Sequence, residues 1–156
     1  MKHKRLSFFV CLAIPLLVGG LSALVSSGSM DKFQELVKPA LAPPGWLFPV
    51  VWTILFVLMG IASFLVLKQN PDSEEVANAL KIYGVQLVFN FVWSILFFNL
   101  ELYYLAFGWL VMLWVLILVT ILQFRRISTA AAWLMVPYLL WVTFAGYLNL
   151  GIAMLN

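Results

Sequence analysis

Five long apolar runs dominate this chain and decide what it can fold into. They cover about Leu6–Ser26, Trp46–Leu67, Ala79–Leu100, Tyr103–Phe124 and Ala130–Leu155. Each reaches roughly 20 residues, enough at ~1.5 Å rise per residue to cross about 30 Å of hydrocarbon. A membrane-spanning strand needs only about 10 residues and alternates in polarity. These runs do not alternate. The expected fold is an all-α integral membrane protein, a single domain over residues 1–156 built as a bundle of five transmembrane helices. Composition agrees: 65% of the residues are hydrophobic and only 10% charged, against about 25% charged in soluble domains. So few charges cannot cover a water-exposed surface. That excludes a soluble enzyme and a disordered chain. The nine lysines and arginines form no continuous patch, so the expected partner is the lipid bilayer and not nucleic acid.

The connections are short except for Ser27–Gly45, between the first and second spans. Lys68–Asn78 carries Asn70-Pro71-Asp72 and reads as a turn. Glu101-Leu102 is barely a turn, which makes the third and fourth spans antiparallel neighbours, and residues 125–129 form the last loop. The basic start, with Lys2, His3, Lys4 and Arg5 before an apolar stretch, also resembles a signal peptide. The stretch is longer than the roughly 7–15 residues of a signal core, which favours a retained helix. With five spans, Lys2, Lys4, Arg5, Lys68, Lys81, Arg125 and Arg126 fall on one side, and only Lys32 and Lys38 on the other. Positive residues favour the cytoplasmic side, so the N-terminus is expected in the cytoplasm of a bacterial cell membrane.

No ionisable side chain sits deep in a span; Lys81 lies near an end, where it can snorkel. Ion-coupled carriers usually keep such groups at mid-membrane. A catalytic triad, a carboxylate pair and a two-histidine metal site are equally excluded. Cys11 is the only cysteine, and His3, the only histidine, reads as a solvated terminal residue. No metal and no built-in cofactor are expected. The polar groups within the spans are amides and hydroxyls. Gln86, Asn90 and Trp93 form one helical stripe. They serve either as helix–helix glue or as ligand contacts. Pro137 is expected to kink the fifth span, which also carries Tyr138, Trp141, Ala145 and Asn149. Trp52 and Phe56 lie one turn apart on the second. Together these residues suit an aromatic-walled, nearly uncharged pocket for a flat apolar ligand. Trp46, Trp109 and Trp133 sit near span ends and fit an interfacial belt, whereas Trp52, Trp93, Trp114 and Trp141 lie deeper. Gly19 and Ala23 form a weak small-residue motif for close packing or a dimer face.

Three stretches resemble the translocator protein / tryptophan-rich sensory protein family, formerly the peripheral-type benzodiazepine receptors. The first is Pro43-Pro44-Gly45-Trp46-Leu47-Phe48, continuing through Trp52-Thr53-Ile54-Leu55-Phe56 to Met59-Gly60. The second is Gln86-Leu87-Val88-Phe89-Asn90-Phe91-Val92-Trp93-Ser94, ending in Phe97-Phe98. The third is Pro137-Tyr138-Leu139-Leu140-Trp141-Val142-Thr143-Phe144-Ala145, then Leu148-Asn149. The likeness covers essentially the whole chain. It implies a five-helix bundle, often a homodimer, that binds porphyrins such as protoporphyrin IX and haem. It also implies isoquinoline carboxamide and benzodiazepine ligands and, in animal members, cholesterol. Some bacterial members are reported to degrade protoporphyrin in light, and others to act as stress sensors.

Carried over by resemblance, the pocket would be lined by Trp52, Phe56, Gln86, Phe89, Asn90, Trp93, Tyr138, Trp141 and Ala145. The first loop would bring Phe33, Lys38, Pro39 and Ala40 to its mouth as a lid. Two positions depart from the family pattern. Leu150 stands where animal members carry the tyrosine of a cholesterol motif, and Lys32-Phe33 stands where many members have Trp-Tyr. Two functions follow. One is a porphyrin receptor or sensor with photo-oxidative turnover, in which Trp52 and Trp141 are the reacting indoles and the porphyrin is ligand or substrate. The alternative is a non-enzymatic transporter or binding protein for tetrapyrroles or sterols.

Overall fold

The computed structural model describes residues 2–156, with side chains from Lys4 onward. The side chains of Lys2 and His3, to which the sequence assigned a role in orientation and a solvated position, lie outside that range. The chain folds into α1 (Lys2–Ser26), α2 (Met30–Glu35), α3 (Leu47–Leu67), α4 (Glu74–Ser94), α5 (Tyr103–Ile127) and α6 (Thr129–Leu155). All but the short α2 are long and apolar enough to cross a membrane, and the described residues contain no strand. The all-α, five-span, multi-pass architecture expected from hydropathy is the one observed.

The boundaries differ where local chemistry outweighs hydropathy. Helix α4 starts at Glu74, well before the apolar run. The Ser73 hydroxyl accepts the Glu75 N–H at 3.2 Å, and Glu74 and Glu75 place carboxylates against the helix N-terminus. Helix α5 continues through Arg125 and Arg126, expected in a loop. Cations in a last turn complement the helix dipole. Ser128 alone then separates α5 from α6, accepting the Ala131 N–H at 3.3 Å. The long first connection is not all loop: a 3-10 turn (Ser27–Ser29) and α2 occupy nearly its first half. A π-helical turn at Ile95–Asn99 extends α4 before Glu101, at φ 55°, reverses the chain into α5. Pro137 lies on an exposed face of α6, and the helix runs on through it.

The helices form a ring. Helix α1 packs mainly on α3, α3 on α6, α6 on α5 and α5 on α4; a lesser α4–α1 contact closes it. Met59, Gln86, Leu113, Ile117, Met135 and Tyr138 lie at its centre with almost no exposure. Helix α1 is the most peripheral span, with 11% of its apolar window buried against 28–39% in the others.

Its attachment to α3 depends on one small residue. At Gly60 a Cβ would lie 2.8 Å from the Cys11 carbonyl oxygen and 2.8 Å from the Leu12 Cα. Both are backbone atoms and cannot rotate away. Only glycine allows this approach. Gly84, by contrast, has nothing within 4 Å of a Cβ built there.

Gly60→Ala should therefore destabilise the bundle by about 1–3 kcal/mol through overpacking. Gly84→Ala should be neutral or stabilise by up to about 1 kcal/mol through helix propensity. Reversible unfolding in mixed detergent micelles measures both.

Candidate functional site

A cavity of about 480 Å³ occupies the half of the bundle that holds α2 and the C-terminal end of α6. Its walls are largely aromatic. The Trp52 and Phe56 rings stack at 5.6 Å, one helical turn apart on α3. Trp141 of α6 meets Trp52 edge-on at 6.5 Å and Phe48 at 5.9 Å. Trp93 and Phe97 stack at 5.3 Å where α4 passes into its π turn. That turn is what sets Phe97 and Phe98 side by side under the cover. The cover is Phe33 of α2, wedged between Phe48, Phe97 and Phe98 at 5.3–6.1 Å. The Lys38 ammonium sits 4.9 Å above the Phe33 ring and donates to the Gln34 and Leu36 carbonyls. Among the described residues, Lys38 is the only ionisable one in the cavity lining.

Eight of the residues expected at the site line this cavity: Phe33, Lys38, Trp52, Phe56, Asn90, Trp93, Trp141 and Ala145. The other five lie behind or beside it, each for a physical reason. Tyr138 is buried beneath the floor; its hydroxyl accepts from Asn90 Nδ2 at 2.8 Å and donates to Gln86 Oε1 at 2.6 Å. Gln86 completes that chain, with its amide NH₂ 3.8 Å from the Met59 sulfur. Phe89 turns outward and stacks on Trp109 at 4.3 Å, and its carbonyl accepts the Trp109 indole N–H at 2.9 Å. Pro39 lies against Gly151, where a Cβ would come within 2.6 Å of its ring. The Ala40 carbonyl accepts the Tyr147 hydroxyl at 2.6 Å. These two hold the cover down and do not face the cavity.

The amides of the α4 stripe therefore divide their work. Gln86 is glue. Asn90 is both glue and lining. Trp93 donates to Asn149 Oδ1 at 3.0 Å, and Asn149 in turn donates to the Tyr103 carbonyl at 2.9 Å, tying α4, α6 and α5 together. The deep tryptophans divide too. Trp114 donates to the Thr143 hydroxyl at 2.8 Å and serves the α5–α6 interface. Trp46 and Trp133 are mostly exposed, as an interfacial belt requires, whereas Trp109 joins α5 to α4. The Trp141 indole N–H is buried and finds no hydrogen-bond partner among the described residues; neither does the Ser22 hydroxyl across the cavity.

The sequence did not point to one whole wall. Helix α1 lines the cavity with Gly19, Ser22, Ala23 and Ser26 among others. The signal was the Gly19–Ala23 pair, read as a helix-packing motif. Gly19 does pack closely, but against a side chain: a Cβ there would lie 2.5 Å from the Phe56 ring.

Comparison with known proteins agrees with the resemblance. The TspO/MBR family matches residues 11–155. The chain is 40% identical to the tryptophan-rich protein TspO of Chlorobaculum tepidum, over all of this chain and 99% of that one. It is 36% identical to protein CrtK of Rhodobacter capsulatus, covering 88% and 85% of the two chains. It is 35% identical to the translocator protein of Ovis aries, covering 75% and 70%.

The Asn90–Tyr138–Gln86 chain should carry much of the α4–α6 stability. Tyr138→Phe leaves two buried amides short of a partner and should cost about 1–3 kcal/mol. Trp114→Phe removes a lipid-facing interhelical bond and should cost about 0.6 kcal/mol. Equilibrium unfolding in mixed micelles should rank the two variants in that order.

Proposed function

The chain belongs to the TspO/MBR family, and on that premise we propose that it is a membrane receptor or sensor that binds porphyrins, protoporphyrin IX and haem, in the aromatic cavity. Isoquinoline carboxamide and benzodiazepine-type molecules are the synthetic ligands of the same site. One observation carries the reading: a cavity of about 480 Å³ walled by Trp52, Trp141, Phe56 and Trp93, with a single cation, Lys38, at its mouth. That volume lies within the roughly 300–1,000 Å³ of small-molecule sites. Flat π-systems favour edge-to-face and offset contacts with such walls. The Lys38 ammonium is held only by carbonyls and a ring face, so a propionate can displace them. The expected setting is a bacterial cell membrane with the N-terminus cytoplasmic and the chain paired as a homodimer.

The proposal extends to light- and oxygen-dependent degradation of the bound protoporphyrin. The porphyrin supplies the photochemistry, and the chain contributes burial, orientation and oxidisable indoles at Trp52 and Trp141. The described lining residues include no carboxylate or imidazole, which favours the second reading, a binding or transport protein for tetrapyrroles or sterols without turnover. Mass spectrometry of protoporphyrin IX after illumination with the protein separates the two. Oxidised, ring-opened products support turnover, and intact porphyrin leaves binding alone.

Trp52→Phe and Trp141→Phe should each slow the light-dependent loss of porphyrin absorbance more than they weaken binding; equal decay in wild type and both variants refutes turnover at these indoles. Ala145, buried at the cavity wall, leaves beside Trp141 the space that a ring would fill. Ala145→Phe should reduce protoporphyrin affinity by about tenfold or more, equivalent to about 1.4 kcal/mol. Titration of tryptophan quenching measures the change, and unchanged affinity would place the ligand elsewhere.

A further inference from the structure

Helices α1 and α3 run antiparallel and touch through the half of the bundle away from the cavity. Phe8 meets Phe64 edge-on at 5.2 Å, Gly60 admits the backbone of Cys11 and Leu12, and Gly19 lies against the Phe56 ring. Beyond Gly19 the pattern changes. Gly20, Ala23 and Ser27 recur at three- and four-residue intervals and so form one edge of α1 and the 3-10 turn that follows it. All three line the cavity, and all three are exposed. Opposite them on α3, Pro49 and Thr53 are also both lining and exposed. A Cβ built at Gly20 meets nothing within 4 Å. Residues that face a cavity and the exterior at once are the rim of an opening.

We propose that the cavity opens sideways into the acyl-chain region, through a cleft between α1 and α3 whose apex is Gly19–Phe56. Its occupant is an apolar molecule dissolved in the bilayer, which enters and leaves through lipid.

The chemistry of the rim fits hydrocarbon. The Thr53 hydroxyl donates to the Pro49 carbonyl at 2.7 Å and the Ser27 hydroxyl to the Leu24 carbonyl at 2.8 Å. Both are satisfied within their own helices, as a lipid-facing edge requires. The water-facing side is built differently. The Asn156 side chain accepts the Val37 N–H at 3.1 Å and donates to the Val37 carbonyl at 2.8 Å. With Tyr147 on Ala40 and Pro39 on Gly151, the strand of cover after α2 is pinned to α6. Entry from water must break these contacts; entry from lipid breaks none.

The opening itself does not depend on which ligand binds, whereas the route it gives to a porphyrin rests on the reading above. The first test uses nanodiscs of phosphatidylcholine with brominated acyl chains, which quench indoles they reach. The contribution of Trp52 and Trp141 is taken as the difference between wild type and the Trp52→Phe/Trp141→Phe double variant. Brominated chains should quench that contribution. Filling the cleft by Gly20→Leu, or independently by Ala23→Leu, should relieve the quenching, and Asn156→Ala should not. Cavity indoles that brominated chains fail to quench overturn the cleft, as does quenching that neither filler relieves. The second test is stopped-flow binding of protoporphyrin IX. Each filler should slow association and dissociation together by about tenfold, while loosening the cover through Asn156→Ala changes neither. Faster association in Asn156→Ala with unaltered rates in both fillers overturns lipid entry. Failure of wild type to bind protoporphyrin refutes the porphyrin reading alone, and the brominated-lipid result then decides the opening.

Discussion

A bilayer offers buried polar groups no water, so each must be satisfied inside the protein. The Asn90–Tyr138–Gln86 chain meets that demand at the centre of this bundle, and much else is arranged around it. It clamps α4 to α6 with bonds of 2.8 and 2.6 Å. Because both helices are held at that depth, they can stand apart above it without collapsing onto each other. The cavity lies directly above, with Asn90 as the one member of the chain that reaches its lining. The Trp93–Asn149–Tyr103 link does the same work nearer the cover and brings in α5. Polar bonds here act as spacers that fix the distances between aromatic walls.

This division of labour bears on the chemistry the site can support. Its polar groups are mostly engaged with one another. What faces the cavity is ring surface and one lysine at the mouth, while the Trp141 indole N–H and the Ser22 hydroxyl lie buried in its walls without partners among the described residues. Such a site recognises shape and a few acceptors. Among the described residues its lining holds no carboxylate or imidazole.

Hydropathy made the five spans legible because crossing a membrane imposes a length and a polarity that few other folds require. The helix ends were less legible, because Ser73, Ser128, Arg125 and Arg126 act through caps and dipoles that a hydropathy window does not weigh. Within the site, the residues visible in sequence were those with distinctive side chains. Trp52, Phe56, Trp93 and Trp141 could be read from helical spacing together with family resemblance. Spacing puts Gln86, Asn90 and Trp93 on one stripe but cannot say which way that stripe turns about its helix, and Phe89, which came from the resemblance alone, stacks on Trp109. The wall from α1 was invisible because glycine, alanine and serine carry no chemical signature. Their contribution is the space they leave, and that exists only once Phe56 is placed beside Gly19.

The clasp between Asn156 and Val37 has a practical meaning. The cover of the cavity is buttoned to the last turn of α6 by a side chain at the C-terminal residue of this sequence, through both its oxygen and its nitrogen. Any change at Asn156 acts directly on the cover through these two bonds. The amino end lies at the opposite end of the bundle, on the most peripheral helix.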